Sequence, residues 1–283
     1  MIDRIIAGLW DDRDTLRACT TTCRLLSPAA QRQLFHRLVL VGPFEGDHVR
    51  LTDLGMSPER LRLLLDQHPR LGAYFECLEI FNTKVCSELL SKGYPNRDID
   101  KGASREWFAL DDVLETCIPY LTGLKALIIQ NSVENEYDAE LQLEKYELLL
   151  TTLTNLVYIS IEGLPLEIIE NASPNLRHLS IDDIVPLKRN QVQPEIVGSR
   201  PIYLESLRVG LSVDKRSLGR LVSGEPKTAI RVSRLRKLDI HCSGTNDHQI
   251  LFSLLRDCSN TLEDLALSPG PHSKLTWYAF IGN

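Results

Sequence analysis

The chain has 283 residues, a formal net charge of −6 and a pI near 5.7. That balance excludes a dedicated nucleic-acid binder, which carries a basic face. No stretch reaches eighteen apolar residues, so no membrane span is expected. Apolar residues make up 43% and aromatic ones only 6%, a composition that suits stacked aliphatic rows better than a compact enzyme core.

Apolar residues at Ile2, Ile5, Ile6 and Leu9 follow helical spacing, and Asp11 and Asp12 break the run. A second helix is predicted to start at Asp14, whose carboxylate can accept from the first-turn N–H groups. Its inner face carries Leu16, Ala18, Cys19, Thr22 and Cys23. Ser27-Pro28 is a third start signal, since Pro at the first helical position loses no hydrogen bond. Leu34, Phe35 and Leu38 close that helix and lead into a strand over 38–40. Three helices this short bury too little apolar surface to stand alone. By periodicity they read equally as a cap on a repeat array or as a unit completed by a partner protein.

The pieces IDRIIAGLWDDRDTLRAC, TCRLLSPAAQRQLF and RLVL, in this order and spacing, resemble the F-box that opens fungal F-box/leucine-rich-repeat proteins. The resemblance implies docking on the Skp adaptor of an SCF ubiquitin ligase, and through it on a cullin-RING ligase, with the downstream region holding a target protein. It assigns the adaptor contact to Ile2, Ile5, Ile6, Leu9, Leu16 and Leu26, some of which must instead form the segment's own core. The family's Leu-Pro-x-Glu-like opening has no counterpart before Ile2, and Leu26 stands where the family often has Trp. Both departures trim adaptor contacts. The alternative reading is therefore a non-catalytic leucine-rich-repeat scaffold that has lost adaptor binding.

Residues 42–56 are rich in Gly and charge and read as a loop or linker. Ser57-Pro58-Glu59 opens a helix with Leu61, Leu64 and Leu65 on one face, ended by Pro69, and a strand is expected over 77–80. Residues 90–107 read as a surface loop, and 111–121 as a helix with Val113, Leu114, Cys117 and Ile118 inward.

From Leu121 a pattern recurs. Leu124-Lys-Ala-Leu127-Ile-Ile129, Leu156-Val-Tyr-Ile159-Ser-Ile161 and Leu176-Arg-His-Leu179-Ser-Ile181 are followed by Leu204-Glu-Ser-Leu207-Arg-Val209, Leu235-Arg-Lys-Leu238-Asp-Ile240 and Leu262-Glu-Asp-Leu265-Ala-Leu267. Each is Leu-x-x-φ-x-φ, where φ is apolar, the strand core of a leucine-rich repeat. The two φ side chains share one face of a strand and the x between them takes the other. One unit cannot bury its φ face, whereas stacked units give a parallel sheet over a continuous aliphatic row.

The marker positions Leu38, Leu78, Leu127, Ile159, Leu179, Leu207, Leu238 and Leu265 are separated by 40, 49, 32, 20, 28, 31 and 27 residues. The expected architecture is α/β: an irregular leucine-rich-repeat solenoid over 41–283, most regular from about 121, behind an F-box-like segment over 1–40. Covering helices are expected over 139–150, 166–170, 215–222 and 247–256, and an exposed loop over 186–201. The final LTWYAFIGN reads either as a terminal cap or as the end of a truncated product.

No constellation names an enzyme. Phosphate-loop, nucleophile-elbow and zinc-protease spacings are absent, so neither catalysis nor a cofactor is expected. Cys19 with Cys23 and His241-Cys242 with His248 read as packing and strand-end residues rather than metal ligands. Seven irregularly spaced cysteines and no signal-peptide pattern point to reduced thiols in an intracellular setting, cytoplasmic and/or nuclear. What remains is surface. The open sheet face should carry Tyr158, Ser160 and Glu162; His178, Ser180 and Asp182; Ser206, Arg208 and Gly210; and Lys237, Asp239 and His241. Of these, Tyr158, Glu162, His178, Asp182, Arg208, Lys237 and Asp239 are the target-binding candidates, with Tyr158 and Arg208 foremost because binding energy favours Tyr and Arg.

Overall fold

A computed structural model of the protein describes residues 2–9, 12–41, 55–82, 84–85, 105–106, 112–131, 139–182, 184, 201–210, 219, 229–242 and 248–269. The chain divides into two compact units, Met1–Ser132 and Val133–Asn283.

The first unit opens with α1 (Ile2–Ala7), α2 (Arg13–Thr22) and α3 (Ser27–Leu34). The cap of α2 is Asp12, not Asp14. Its carboxylate accepts from the Thr15 N–H at 2.9 Å and the Thr15 hydroxyl at 2.6 Å, and these bonds hold its pKa below the usual carboxylate value. Thr15 supplies two donors to Asp12, so the helix starts one residue after it. α3 begins without a side-chain cap, and Pro28 fills its first turn. Ile6, Leu16 and Ala30 form the buried core of this segment, with Leu9, Cys19, Leu26, Ala29 and Leu34 packed against it. Ala18 and Thr22, expected inward, are exposed. Thr20 and Thr22 instead turn their hydroxyls back onto the carbonyls of Arg17 and Ala18, which weakens a helix near its end.

Then come β1 (Arg37–Val41), α4 (Pro58–Gln67), a 3₁₀ turn at Pro69–Tyr74, β2 (Cys77–Asn82), β3 (Lys84–Val85), β4 (Arg105–Glu106), α5 (Val113–Cys117) with a 3₁₀ extension at Ile118–Tyr120, and β5 (Ala126–Asn131). Ser57 caps α4 by accepting from the Arg60 N–H, with Pro58 at the first helical position. β1, β2 and β5 pair in parallel, with Leu38 beside Leu78 beside Leu127 and Leu40 beside Ile80 beside Ile129. All six side chains are buried, and Leu61, Leu65, Leu114 and Cys117 are buried on the covering helices α4 and α5. The long gaps between markers leave the register intact, because a parallel crossover can lengthen without shifting the strands it joins. Within the stretch expected to be loop, Arg105–Glu106 pairs antiparallel with Lys84–Val85.

The second unit contains α6 (Ala139–Thr152), β6 (Tyr158–Glu162), a 3₁₀ turn at Leu166–Asn171, β7 (His178–Asp182), β8 (Ile202–Tyr203), β9 (Ser206–Val209), β10 (Ile230–Arg231), β11 (Lys237–Cys242), α7 (His248–Cys258) and β12 (Asp264–Pro269). β6, β7, β9, β11 and β12 lie side by side in that order, and their registers run parallel, aligning Ile159, Leu179, Leu207, Leu238 and Leu265 in one row. The first four are buried; Leu265, on the last described strand, is 44% exposed. The short β8–β10 pair, Ile202 beside Ile230, has no counterpart in the sequence expectations.

Turn carbonyls ahead of the strands are satisfied by side chains. Ser173 Oγ donates to Thr154 O at 2.6 Å and Thr261 Oγ1 to Leu235 O at 2.8 Å. That accounts for backbone acceptors the ladder leaves over. All of the helix expected over 215–222 except Gly219, most of the loop over 186–201 and the final LTWYAFIGN lie outside the described residues. The fold is thus mixed α/β, with parallel main strands in each unit and the helices between them in sequence.

Candidate functional site

Two surfaces carry the predicted site residues, one in each unit. In the helical segment of the first unit, the six adaptor candidates separate by burial. Ile6 and Leu16 are 2% and 1% exposed and belong to the core. Leu9 and Leu26 are half-buried against it. Ile2 and Ile5 remain exposed, Ile5 at 60%. Leu25, absent from the expected set, is 77% exposed. Helical periodicity could not have singled it out, because Arg24–Leu26 form a turn between α2 and α3 and the 3.6-residue rule does not apply there. The outward apolar residues are therefore Ile2, Ile5 and Leu25, while Ile6 and Leu16 serve the segment itself.

In the second unit, the open side of the sheet arranges the target candidates in columns set by the strand register. The column at the start of the strands runs Tyr158, His178, Ser206, Lys237 and Asp264. The middle column runs Ser160, Ser180, Arg208, Asp239 and Ala266. Glu162 sits beside Asp182, and His241 beside Ser268, at the far ends of the strands. Glu162, Asp182, Arg208 and Lys237 are exposed, and Tyr158, His178 and Asp239 are half-exposed. Successive strands are about 4.8 Å apart, so each column is a row of side chains at contact spacing.

The charges on this face interact. Asp239 stands between Arg208, with Oδ2 3.6 Å from Nε, and His241, with Oδ1 3.9 Å from Nε2. Gly210 is buried beneath Asp182; a Cβ there would overlap the Asp182 carboxylate, so the missing side chain makes room for the acid. The residues just before β7, β9, β11 and β12 carry charge of alternating sign, with Arg177 3.7 Å from Glu205 and Arg236 3.7 Å from Glu263. These pairs are solvent-exposed and add little stability. They set both signs of charge at regular spacing along this edge of the sheet.

The first unit's sheet holds a buried charge that the sequence pattern hid. Glu79, the x residue between Leu78 and Ile80, should point to solvent, yet it is 5% exposed. Its register neighbours are Val39 and Ile128, and its carboxylate pairs with Arg37 at 2.5 Å. Beside it, burial and then the Glu79 charge push the Cys77 thiol up to about 11, which keeps it protonated and a poor nucleophile. The cluster ties β1 to β2 through the Arg37–Glu79 pair.

No group of three or more His, Cys, Asp or Glu side chains that could hold a metal ion occurs among the described residues, and no helix among them is long and apolar enough to cross a membrane. A scan against protein-family models finds no match, and a search of curated proteins finds none either.

Proposed function

We propose that this chain is a non-catalytic substrate receptor of an SCF-type ubiquitin ligase. Its N-terminal helices dock on a Skp adaptor, and the open face of a leucine-rich-repeat array captures a target protein. The observation that carries the reading is the division of labour in the helical segment. Ile6, Leu16 and Ala30 close its core, while Ile2, Ile5 and Leu25 stay outward, leaving apolar surface for a partner to cover. The aligned φ rows and mixed-charge columns support the repeat reading, since parallel repeats present such faces to proteins. The receptor does no chemistry itself. Holding the target beside the ubiquitin-charged enzyme raises its effective concentration.

Co-expression with a Skp adaptor, followed by pull-down and size-exclusion chromatography, tests this. A one-to-one complex is expected. Ile5→Asp combined with Leu25→Asp should abolish it while the circular-dichroism spectrum and melting temperature stay unchanged, because both side chains already face solvent. Leu16→Asp should unfold the segment, since it buries a charge. Absence of any complex with the intact chain would favour the second reading, a repeat scaffold without adaptor binding.

A further inference from the structure

We propose that the groove between α2 and α3 binds a short acidic–apolar segment of a protein partner. Its walls are Arg13, Arg17 and Thr20 from α2, and Gln31 and Leu34 from α3 with Phe35 at its C-terminal cap. Their spacings, i, i+4, i+7 and i, i+3, i+4, set three side chains in line along each wall. The groove encloses about 380 Å³, within the range of ligand-sized sites.

Its floor is fixed and its rim is free to engage. Leu34 packs against the Ile6–Leu16–Ala30 core, and the Phe35 ring is set edge-on to Phe75, with centroids 6.0 Å apart. On the rim, the Arg13 guanidinium and the Gln31 amide make no hydrogen bond among the described residues. Among the described residues Arg17 pairs with Asp14 alone, at 3.1 Å and with both side chains largely exposed, an interaction weak enough to exchange for a better carboxylate.

Charge selects the ligand's sign. Residues 12–36 contain Arg13, Arg17, Arg24 and Arg32 against Asp12 and Asp14, in a chain whose net charge is −6. Asp12 is committed to capping α2. The basic rim takes carboxylates, and the Leu34–Phe35 floor takes an aliphatic side chain between them. An inorganic anion would leave that floor unused. The inference stands on the groove alone and holds whether or not a Skp adaptor binds.

The test is fluorescence polarisation with the full chain and a labelled hexapeptide alternating glutamate and leucine, against its lysine–leucine counterpart and against inorganic phosphate as competitor. The glutamate peptide should bind and the lysine peptide should not. Arg13→Glu and Gln31→Glu should each weaken binding at least tenfold, whereas Arg24→Glu, off the groove, should change it less than twofold. Both groove positions are at the surface, and circular dichroism checks that the variants stay folded. No binding by the glutamate peptide at millimolar concentration would overturn the proposal. An equal loss in Arg24→Glu would also overturn it by showing undirected charge attraction. Displacement by phosphate at matched concentration would do so by showing a simple anion site. Adaptor binding is scored separately through Ile5→Asp and Leu25→Asp, so the two readings fail independently.

Discussion

Arg37 on β1 reaches diagonally across to Glu79 on β2, Nη2 to Oε2 at 2.5 Å, and neutralises a carboxylate that lies between Val39 and Ile128 in the register. The pairing raises the guanidinium pKa further above its usual value, the hydrogen bond to Glu79 being the leading cause. A diagonal neighbour in a sheet is about 7–8 Å away, within reach of a long side chain. The Arg37 side chain is 61% exposed and the Glu79 side chain 7%, so solvent helps one partner only. Arg37→Met should therefore destabilise the first unit by about 3 kcal/mol, the low end of the range for stranding a buried charge. Arg37→Met with Glu79→Leu should recover most of that loss. Urea unfolding of the single and double variants checks it; equal stability of the two would mean that the carboxylate is solvated after all.

Two glycines set how closely successive turns of the first unit stack. A Cβ on Gly72 would overlap the Tyr120 carbonyl oxygen, and one on Gly123 would overlap that of Ala73. The obstacles are backbone atoms, which cannot swing aside as a side chain can. Gly72→Ala and Gly123→Ala should each cost at least about 2 kcal/mol, in the upper part of the overpacking range, and lower the melting temperature of the first unit. A neutral result would show that these turns separate without loss.

The buried rows were legible in the sequence because alternation alone decides which face a strand residue takes. Leu127 and Ile129, or Leu238 and Ile240, needed no tertiary information. The open-face columns in the second unit follow from the same rule, since fixing the φ register fixes the x residues beside it. Glu79 escaped the rule because Arg37, two positions off its register partner, made burial of an x residue tolerable. Asp12 displaced Asp14 as cap through a second donor on Thr15, a side-chain detail that propensity does not resolve. Leu25 was indistinguishable from Leu26 because the turn between α2 and α3 has no periodicity. The β3–β4 and β8–β10 pairs are two residues long per strand, too short for any repeating pattern to announce.

Cys77 gives the first unit an alkaline limit. Its thiol is raised from near 9 to about 11, by burial first and by the Glu79 charge second. The folded state therefore keeps a proton between pH 9 and 11 that the unfolded chain releases, so the contribution is full below about pH 9 and falls as pH rises to about 11. Wild-type unfolding midpoints in urea should drop across that window more steeply than those of Cys77→Ala. Alkylation at pH 8.5 should also mark Cys77 more slowly than an ordinary thiol. Parallel pH profiles for the two proteins would remove Cys77 as the cause.

β9 offers the sharpest contrast between buried framework and open face, because neighbouring residues point opposite ways. Leu207 is 1% exposed, between Leu179 and Leu238 in the buried row. Arg208, one residue on, sits between Ser180 and Asp239 on the open face, its guanidinium 3.6 Å from the Asp239 carboxylate and its side chain 61% exposed. Leu207→Ala removes buried methyl groups and should cost about 2–5 kcal/mol. Arg208→Ala breaks only a screened surface pair and should cost less than about 1 kcal/mol. Chemical denaturation of both variants under one buffer condition reads the difference directly. A near-silent Arg208→Ala leaves this side chain at the disposal of a target, where an exposed arginine held in place by an aspartate is well suited to a protein contact. A loss matching that of Leu207→Ala would assign Arg208 to the framework and strike it from the target-binding residues.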